Sequence, residues 1–145
     1  MKIMFVCHGN ICRSPMAEFI MRKMLTDSGL SNEIYVCSRA TSREELGNPV
    51  YPPAKCELAR HNLSCDGKYA VQVQKSDYEN YDMFICMDEN NIRNIMRIFG
   101  TDPQNKVSKL NKSDVYDPWF SGDFETAYND IYKGCESLIN KIRGL

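Results

Sequence analysis

The sequence of 145 residues has no CxxC pair and only two histidines, His8 and His61, so it lacks a ligand set for a structural zinc site. It also lacks an excess of positive charge, because 18 Lys and Arg residues stand against 19 Asp and Glu residues. Proteins that hold nucleic acid or a membrane surface through a basic field carry such an excess. No apolar run approaches the ~18–20 residues of a membrane span, and the N-terminal stretch lacks the flanks of a cleaved signal. These absences argue against a nucleic-acid partner and a membrane span.

Seven cysteines are scattered through apolar segments without short paired spacings. An odd number of unpaired cysteines favours reduced thiols, and therefore a cytoplasmic location.

Apolar runs typical of strands alternate with helical patterns along the chain. Strands are predicted at residues 2–7, 33–37, 81–87 and 106–110, and helices at 14–29, 54–61, 88–99 and 124–142. This alternation is typical of βαβ units. We therefore predict one α/β domain over residues 1–145, with a four-stranded parallel twisted sheet and helices on both faces, of the flavodoxin- or Rossmann-like kind. Ligands of such sheets bind beyond the carboxyl ends of the strands.

The loop after the first predicted strand has the composition of an anion-binding site. It reads CHGNICRSP over residues 7–15, with five residues between Cys7 and Arg13. Five residues allow the backbone to wrap once, so that successive N–H groups point inward as a nest for phosphate. We expect Gly9, and to a lesser degree Asn10, to supply the positive φ of this wrap, and Ser14 to cap the helix that follows. The predicted phosphate-binding residues are His8, Gly9, Asn10, Ile11, Cys12, Arg13 and Ser14.

Cys7 lies where the positive potential of this loop converges. A helix N-terminus and a guanidinium both stabilise a thiolate, so we predict that Cys7 is a thiolate nucleophile at neutral pH. Arg13 offers a planar fork that can hold two phosphoryl oxygens, and Ser14 is placed to donate to the sulfur. Alternatively, Cys7 is an inert core cysteine, which is the common role of a buried thiol.

A phosphate ester also needs a proton donor for its leaving oxygen. Asp117 is a candidate because Pro118 favours an extended conformation at this residue, and Trp119 and Phe120 follow as an aromatic wall. The residues alone leave Asp114 open as a competing acid.

Beyond these local patterns, the segment VCHGNICRSPMAE resembles the signature of the low-molecular-weight protein tyrosine phosphatases, of the bacterial type. The likeness continues through Met87-Asp88, Asn91 and Tyr116-Asp117-Pro118-Trp119 to the last amphipathic helix. It implies hydrolysis of phosphotyrosine monoesters through a phosphocysteine intermediate, with inorganic phosphate as product and with no metal or other cofactor. In this scheme Cys7 is the nucleophile, Arg13 stabilises the transition state and Asp117 is the general acid and base. The partners implied are tyrosine-phosphorylated proteins, such as a bacterial tyrosine kinase or its targets.

The resemblance also assigns supporting roles. Cys12 is implied as a redox partner that traps oxidised Cys7 as a disulfide, although a small residue that fills the loop is the simpler reading. Asn10, Ser14 and Ser38 are implied as loop supports, and Ile11 joins Trp119 and Phe120 in the wall beside the substrate ring.

The sequence departs from the family pattern in two places. Glu44 and Glu45 stand where many relatives have an aromatic residue. Their negative charges favour substrates with basic residues around the phosphotyrosine. Lys68 aligns with a histidine that supports Asn10 in many relatives.

Three other functions remain open. A thioredoxin-coupled arsenate reductase shares this fold and loop but relays oxidation through two further neighbouring cysteines, whereas Cys86 stands alone in its region. A protein arginine phosphatase tends to carry threonine where this chain has Ile11. A non-catalytic phosphate-binding module would normally lack either the nucleophile or the acid.

Overall fold

Four short segments form one parallel sheet in the computed structural model, which describes residues 1–144. The strands are β1 Lys2–Cys7, β2 Tyr35–Ala40, β3 Met83–Cys86 and β4 Val107–Lys109. Their order across the sheet is β2-β1-β3-β4. The central β1 pairs with β2 from Lys2↔Tyr35 to Cys7↔Ala40, and with β3 from Ile3↔Met83 to Val6↔Cys86. The predicted α/β class and the four parallel strands are thereby confirmed.

The connections between the strands are helical. The described residues contain α1 Arg13–Asp27, α2 Pro52–Arg60, α3 Asp77–Asn80, α4 Glu89–Phe99, α5 Pro118–Ser121 and α6 Phe124–Ile142. None of these helices is long and apolar enough to cross a membrane.

Alternate residues of β1 face two separate cores. Ile3 and Phe5 pack in a cluster with residues of α1, α2 and α6, whereas Met4 and Val6 pack in a second cluster with residues of α3 and α4. All four side chains are fully buried. Each contributes roughly 1.5–3 kcal/mol through burial, which explains why this strand is a continuous apolar run. Helices therefore cover both faces of the sheet, as predicted.

The predicted boundary of β2 was wrong at both ends. The strand continues to Ala40 because its pairing with β1 extends to Cys7, although Ser38 and Arg39 are polar. Ser38 is tolerated there because its buried hydroxyl is hydrogen-bonded. Two helices of four residues, α3 and α5, were not predicted, since one helical turn leaves no periodic pattern in the sequence.

Ser14 is not the N-cap of α1. The helix begins at Arg13, and its N-cap residue is Cys12, which makes no side-chain capping bond. Ser14 lies inside the first turn because its hydroxyl is used by Cys7 and Asn10 instead. Pro15 is accommodated there because the first N–H groups of a helix have no intrahelical partner.

Candidate active site

The phosphate loop lies at the carboxyl end of β1, between the ends of β2 and β3. The N–H groups of residues 8–14 donate no hydrogen bond to any group within residues 1–144. Free amides at a helix N-terminus form a site for an anion. Asn10 adopts the left-handed conformation with φ 60°, whereas Gly9 does not have a positive φ, so the predicted order of these two residues was wrong.

The side chain of Asn10 explains why a non-glycine residue holds this conformation. Its Oδ1 accepts from Val71 N at 3.2 Å, and its Nδ2 donates to Ser14 Oγ at 2.7 Å and to Ser38 Oγ at 3.0 Å. Three bonds to a residue that is 1% exposed offset the cost of the left-handed backbone.

This orientation of Asn10 also fixes the protons of both serines. Each hydroxyl accepts from Asn10, so the single proton of each must point elsewhere. Ser38 Oγ donates to Glu18 Oε1 at 2.6 Å. The Ser14 proton is left for Cys7 Sγ, 3.0 Å away. Ser14 is therefore oriented to donate to the sulfur, an arrangement that suits a thiolate.

Arg13 is almost fully buried beside the loop, at 2% exposure. Its Nη1 donates to Asp88 Oδ2 at 2.7 Å and to Val115 O at 2.9 Å, and its Nη2 donates to Asp117 Oδ2 at 3.4 Å. Burial opposes the charge, but interactions with Cys7, Asp88 and Asp117 outweigh it and raise the pKa of Arg13. The guanidinium is thus held charged beside the candidate acid, Asp117.

The two candidate acids occupy different surroundings. Asp117 caps α5 by accepting from Trp119 N at 3.1 Å, and it faces Arg13. Asp114 is paired with Lys109 at 3.0 Å, and this hydrogen bond lowers the pKa of Asp114. Asp117 is therefore the candidate that faces the guanidinium of the phosphate loop, whereas Asp114 is engaged with Lys109.

An aromatic wall stands beside the loop. Trp119 is 50% exposed and packs on Tyr51, with ring centroids 4.6 Å apart. Tyr51 N donates to Ile11 O at 2.9 Å, which places Tyr51 next to the loop. Tyr51 therefore lies between Ile11 of the loop and Trp119. Phe120, the other aromatic residue of the predicted wall, is 77% exposed.

The loop after β2 runs along the opposite end of the phosphate loop. Its residues 41–42 donate backbone hydrogen bonds to the start of the phosphate loop at 3.0 and 3.1 Å. Glu44 Oε2 lies 2.9 Å from Nε2 of His8 on the exposed rim. The aliphatic part of the Glu45 side chain lies against Gly9. A Cβ added at Gly9 would be 3.3 Å from Glu45 Cγ. Both glutamates therefore lie against the first residues of the phosphate loop.

Cys12 lies within the loop and is 5% exposed. Burial, together with a smaller Coulombic effect of Cys7, raises the pKa of the Cys12 thiol. Cys12 is thus held in the protonated form within the phosphate loop.

The sequence analysis missed several side chains of this site. Asp88 accepts a hydrogen bond from Arg13. It also forms a capping box with Asn91 at the start of α4, and the spacing of these two residues could have identified Asp88 in the sequence. Tyr51 and Glu18 carried no signal, because each reaches the site only through tertiary packing. Lys68 has no direct hydrogen bond to Asn10; its Nζ donates to Ser38 O at 2.8 Å.

A parallel α/β sheet whose first strand leads into a Cys-x5-Arg loop at a helix N-terminus is typical of cysteine-dependent phosphatases. Residues 2–144 match the model of the family described as low molecular weight phosphotyrosine protein phosphatase. The chain belongs to this family.

Individual relatives agree with this assignment. The low molecular weight protein-tyrosine-phosphatase PtpA of Staphylococcus saprophyticus is 37% identical over 148 residues, which cover 97% of this chain and 92% of that protein. The crystal structure of YfkJ from Bacillus subtilis has a TM-score of 0.95 at 34% identity and covers 99% of this chain and 95% of that one. A solved YwlE arginine phosphatase, with a TM-score of 0.88 at 23% identity, covers 99% of this chain and 96% of that one. At that identity, the likeness is evidence for the fold alone.

Proposed function

We propose that this protein hydrolyses phosphotyrosine in proteins, with Cys7 as nucleophile, Arg13 as transition-state stabiliser and Asp117 as general acid and base. The observation that carries the proposal is the position of the buried Arg13 side chain. It belongs to the phosphate loop, and its Nη2 lies 3.4 Å from Asp117 Oδ2. One guanidinium can therefore hold a phosphoryl group between an attacking sulfur and a proton donor.

The proposed reaction has two displacements. Cys7 Sγ attacks phosphorus as the P–O bond to the phenol breaks, and Asp117 gives its proton to the leaving oxygen. Water then attacks the thiophosphate, Asp117 takes a proton from it, and the S–P bond breaks to release inorganic phosphate and the thiolate. Arg13 and the amides of residues 8–14 bind the equatorial oxygens in both steps.

The wall formed by Ile11, Tyr51 and Trp119 supports a phenyl ring as the leaving group. Glu44 and Glu45 at the entrance support substrates with basic residues next to the phosphotyrosine. Phosphotyrosine, phosphoarginine and phosphoserine peptides, each with basic or acidic flanks, test both points when assayed with a chelator present. We expect the highest kcat/KM for phosphotyrosine with basic flanks, whereas a preference for phosphoarginine would establish the alternative activity.

Replacement of Asp117 by alanine is expected to lower kcat for a phosphotyrosine peptide by ~10²–10⁴, because the phenoxide then leaves unprotonated. The loss is expected to shrink for aryl phosphates with strongly acidic phenols, as measured in steady-state assays across a leaving-group series. Asp114→Ala is the matched control and is expected to remain close to wild type. An equal loss for every leaving group would assign Asp117 a structural role instead.

We also propose that Cys12 protects Cys7 from irreversible oxidation. Peroxide oxidises a thiolate to a sulfenic acid. A neighbouring thiol then attacks the sulfenic sulfur, so that the S–S bond forms as the S–O bond breaks and water is released. After mild peroxide, the wild type is expected to show a Cys7–Cys12 linkage by mass spectrometry and to recover with a dithiol. Cys12→Ser is expected to accumulate sulfinic acid at Cys7 and to stay inactive. Equal recovery of both proteins, without the linkage, would leave Cys12 as a residue that only fills space.

The physiological partner that we propose is a tyrosine-phosphorylated protein, such as a bacterial tyrosine kinase or one of its targets. A cytoplasmic location is part of this proposal, and the seven cysteines without short paired spacings support it.

A further inference from the structure

Helix α5, which Asp117 caps, is a single turn on the surface of the protein. Of its four residues only Pro118 is buried, whereas Trp119 is 50% and Phe120 is 77% exposed. One turn of helix is not stable by itself, so its position depends on contacts with the rest of the chain. The direction of the Asp117 carboxylate depends on that position, because its Oδ1 accepts from Trp119 N at 3.1 Å.

The other oxygen of Asp117 is held by charge. Its Oδ2 lies 3.4 Å from Arg13 Nη2, and such a hydrogen bond is strongest when the carboxylate is ionised. A proton donor works in its neutral form, so this ion pair is weakest in the state in which Asp117 gives its proton. Only a contact that does not depend on charge holds the acid equally well in both states.

The ring of Tyr51 makes a contact of this kind. It packs on the ring of Trp119, with centroids 4.6 Å apart and planes tilted by 49°. It also lies 6.0 Å from the ring of Phe124, the first residue of α6. Centroid separations of about 4.5–7 Å are typical of attractive aromatic pairs. Tyr51 thus contacts both α5 and the start of α6, on either side of the short connection between them.

The backbone of Tyr51 is fixed relative to the phosphate loop. Its N–H donates to Ile11 O at 2.9 Å, and its carbonyl accepts from Lys55 N at 3.0 Å in the first turn of α2. Pro52 and Pro53 follow at the first positions of that helix, where their rings restrict the backbone. Tyr51 is therefore bonded through its backbone to the loop that holds the nucleophile, and it packs through its ring on the helix that carries the acid.

We propose that Tyr51 is a positioning residue for Asp117, which acts through Trp119 to hold the general acid in place relative to the phosphate loop. This inference rests on the proposed role of Asp117 as general acid and base. It assigns Tyr51 an effect on proton donation, in addition to its place in the wall beside the substrate ring.

The test measures the rate at which the tyrosine peptide is released in a single turnover, with enzyme in excess. Tyr51→Leu removes the ring and is expected to lower this rate by about tenfold, because a displaced acid protonates the phenoxide less well. The loss is expected to shrink for aryl phosphates with strongly acidic phenols, and the affinity for inorganic phosphate is expected to stay unchanged. Tyr51→Phe keeps the ring, and we expect wild-type rates.

The same substitution in the Asp117→Ala background separates positioning of the acid from a general structural effect. If Tyr51 acts through Asp117, then Tyr51→Leu causes no further loss once the acid is absent. A further loss of about tenfold in that background would overturn the proposal. An equal loss for every leaving group, caused by Tyr51→Leu alone, would overturn it as well.

Trp119 is the single tryptophan of the chain, so its fluorescence reports on this contact without turnover. Tyr51→Leu is expected to increase the quenching of Trp119 by acrylamide, because a ring leaves the surface of the indole, whereas Tyr51→Phe is expected to leave it unchanged. Wild-type quenching in Tyr51→Leu would contradict the proposal.

Tyr35→Leu is the matched control. Tyr35 also pairs with an aromatic ring, that of Tyr81 at 6.5 Å, but it begins β2 at the end of the sheet opposite the phosphate loop. This variant is expected to keep wild-type rates and wild-type quenching.

Trp119→Leu breaks the same pair from the other side and keeps the test decisive if Tyr51→Leu does not fold, because Trp119 is half exposed. It is expected to show the same dependence on the leaving group, and an equal loss for every leaving group would overturn the proposal. Asp117→Ala alone tests the proposed function: without a leaving-group dependence in that variant, the acid role fails and this inference fails with it. With that dependence present, a further loss from Tyr51→Leu overturns this inference alone.

Discussion

Cys7→Ser is expected to reduce phosphotyrosine hydrolysis by at least ~10⁴, because a serine hydroxyl in this loop has no base to activate it as a nucleophile. The same variant is expected to bind phosphate or vanadate, since Arg13 and the amides of residues 8–14 do not depend on the sulfur. Steady-state kinetics and calorimetric titration with phosphate measure the two properties separately.

A matched control for this variant is Cys56→Ser, because Cys56 is the exposed cysteine among the described residues. It is expected to keep wild-type kinetics. Substantial residual turnover in Cys7→Ser would exclude Cys7 as the nucleophile, and loss of phosphate binding together with activity would show that the loop had collapsed.

Arg13→Lys is expected to lower kcat/KM by ~10³, although it conserves the charge. The guanidinium uses two nitrogens to reach Asp88, Val115 and Asp117, and one ammonium cannot span them and also hold two phosphoryl oxygens. A comparison of kcat/KM with the affinity for phosphate separates loss in the transition state from loss of ground-state binding.

Arg39→Lys is the control for a partly buried arginine elsewhere, since Arg39 pairs with Asp77 at 3.6 Å. It is expected to leave kcat/KM within a few-fold of wild type. An Arg13→Lys variant with wild-type kcat/KM would contradict the transition-state role of Arg13.

The parts of this fold that could be predicted from the sequence have strong local signals. Lys2–Cys7 is a continuous apolar run and forms a strand with those boundaries, and Phe124–Ile142 has an unbroken apolar stripe and forms the last helix. The course of the phosphate loop was also predictable, because a Cys-x5-Arg segment between a strand and a helix start favours amides that point inward.

The remaining features depend on contacts between distant segments. Asn10 rather than Gly9 takes the positive φ because Val71, Ser14 and Ser38 hold its side chain, and the farthest of these partners lies 61 positions from Asn10 in the sequence. His61 had no predicted partner, yet its ring stacks on Tyr128 with centroids 3.7 Å apart. No local pattern encodes such pairs, because they arise only when the sheet brings the segments together.

Glu18 illustrates the same limit at the site. A glutamate in the first half of an amphipathic helix is usually exposed, but Ser38 and Lys68 bury this one. Glu18 reaches Ser38 of β2 only because β2 pairs with β1 in the folded sheet.

The central claim, that the phosphoryl group passes through Cys7, is tested most directly by rapid mixing of the wild-type protein with a phosphotyrosine peptide. The reaction is quenched during the first turnover, and peptide mass spectrometry locates the phosphoryl group. We expect a phosphoryl adduct on Cys7 that appears with the first equivalent of released tyrosine peptide and decays to inorganic phosphate. Release of that equivalent with no adduct on Cys7, or with the adduct on another residue, would contradict the mechanism.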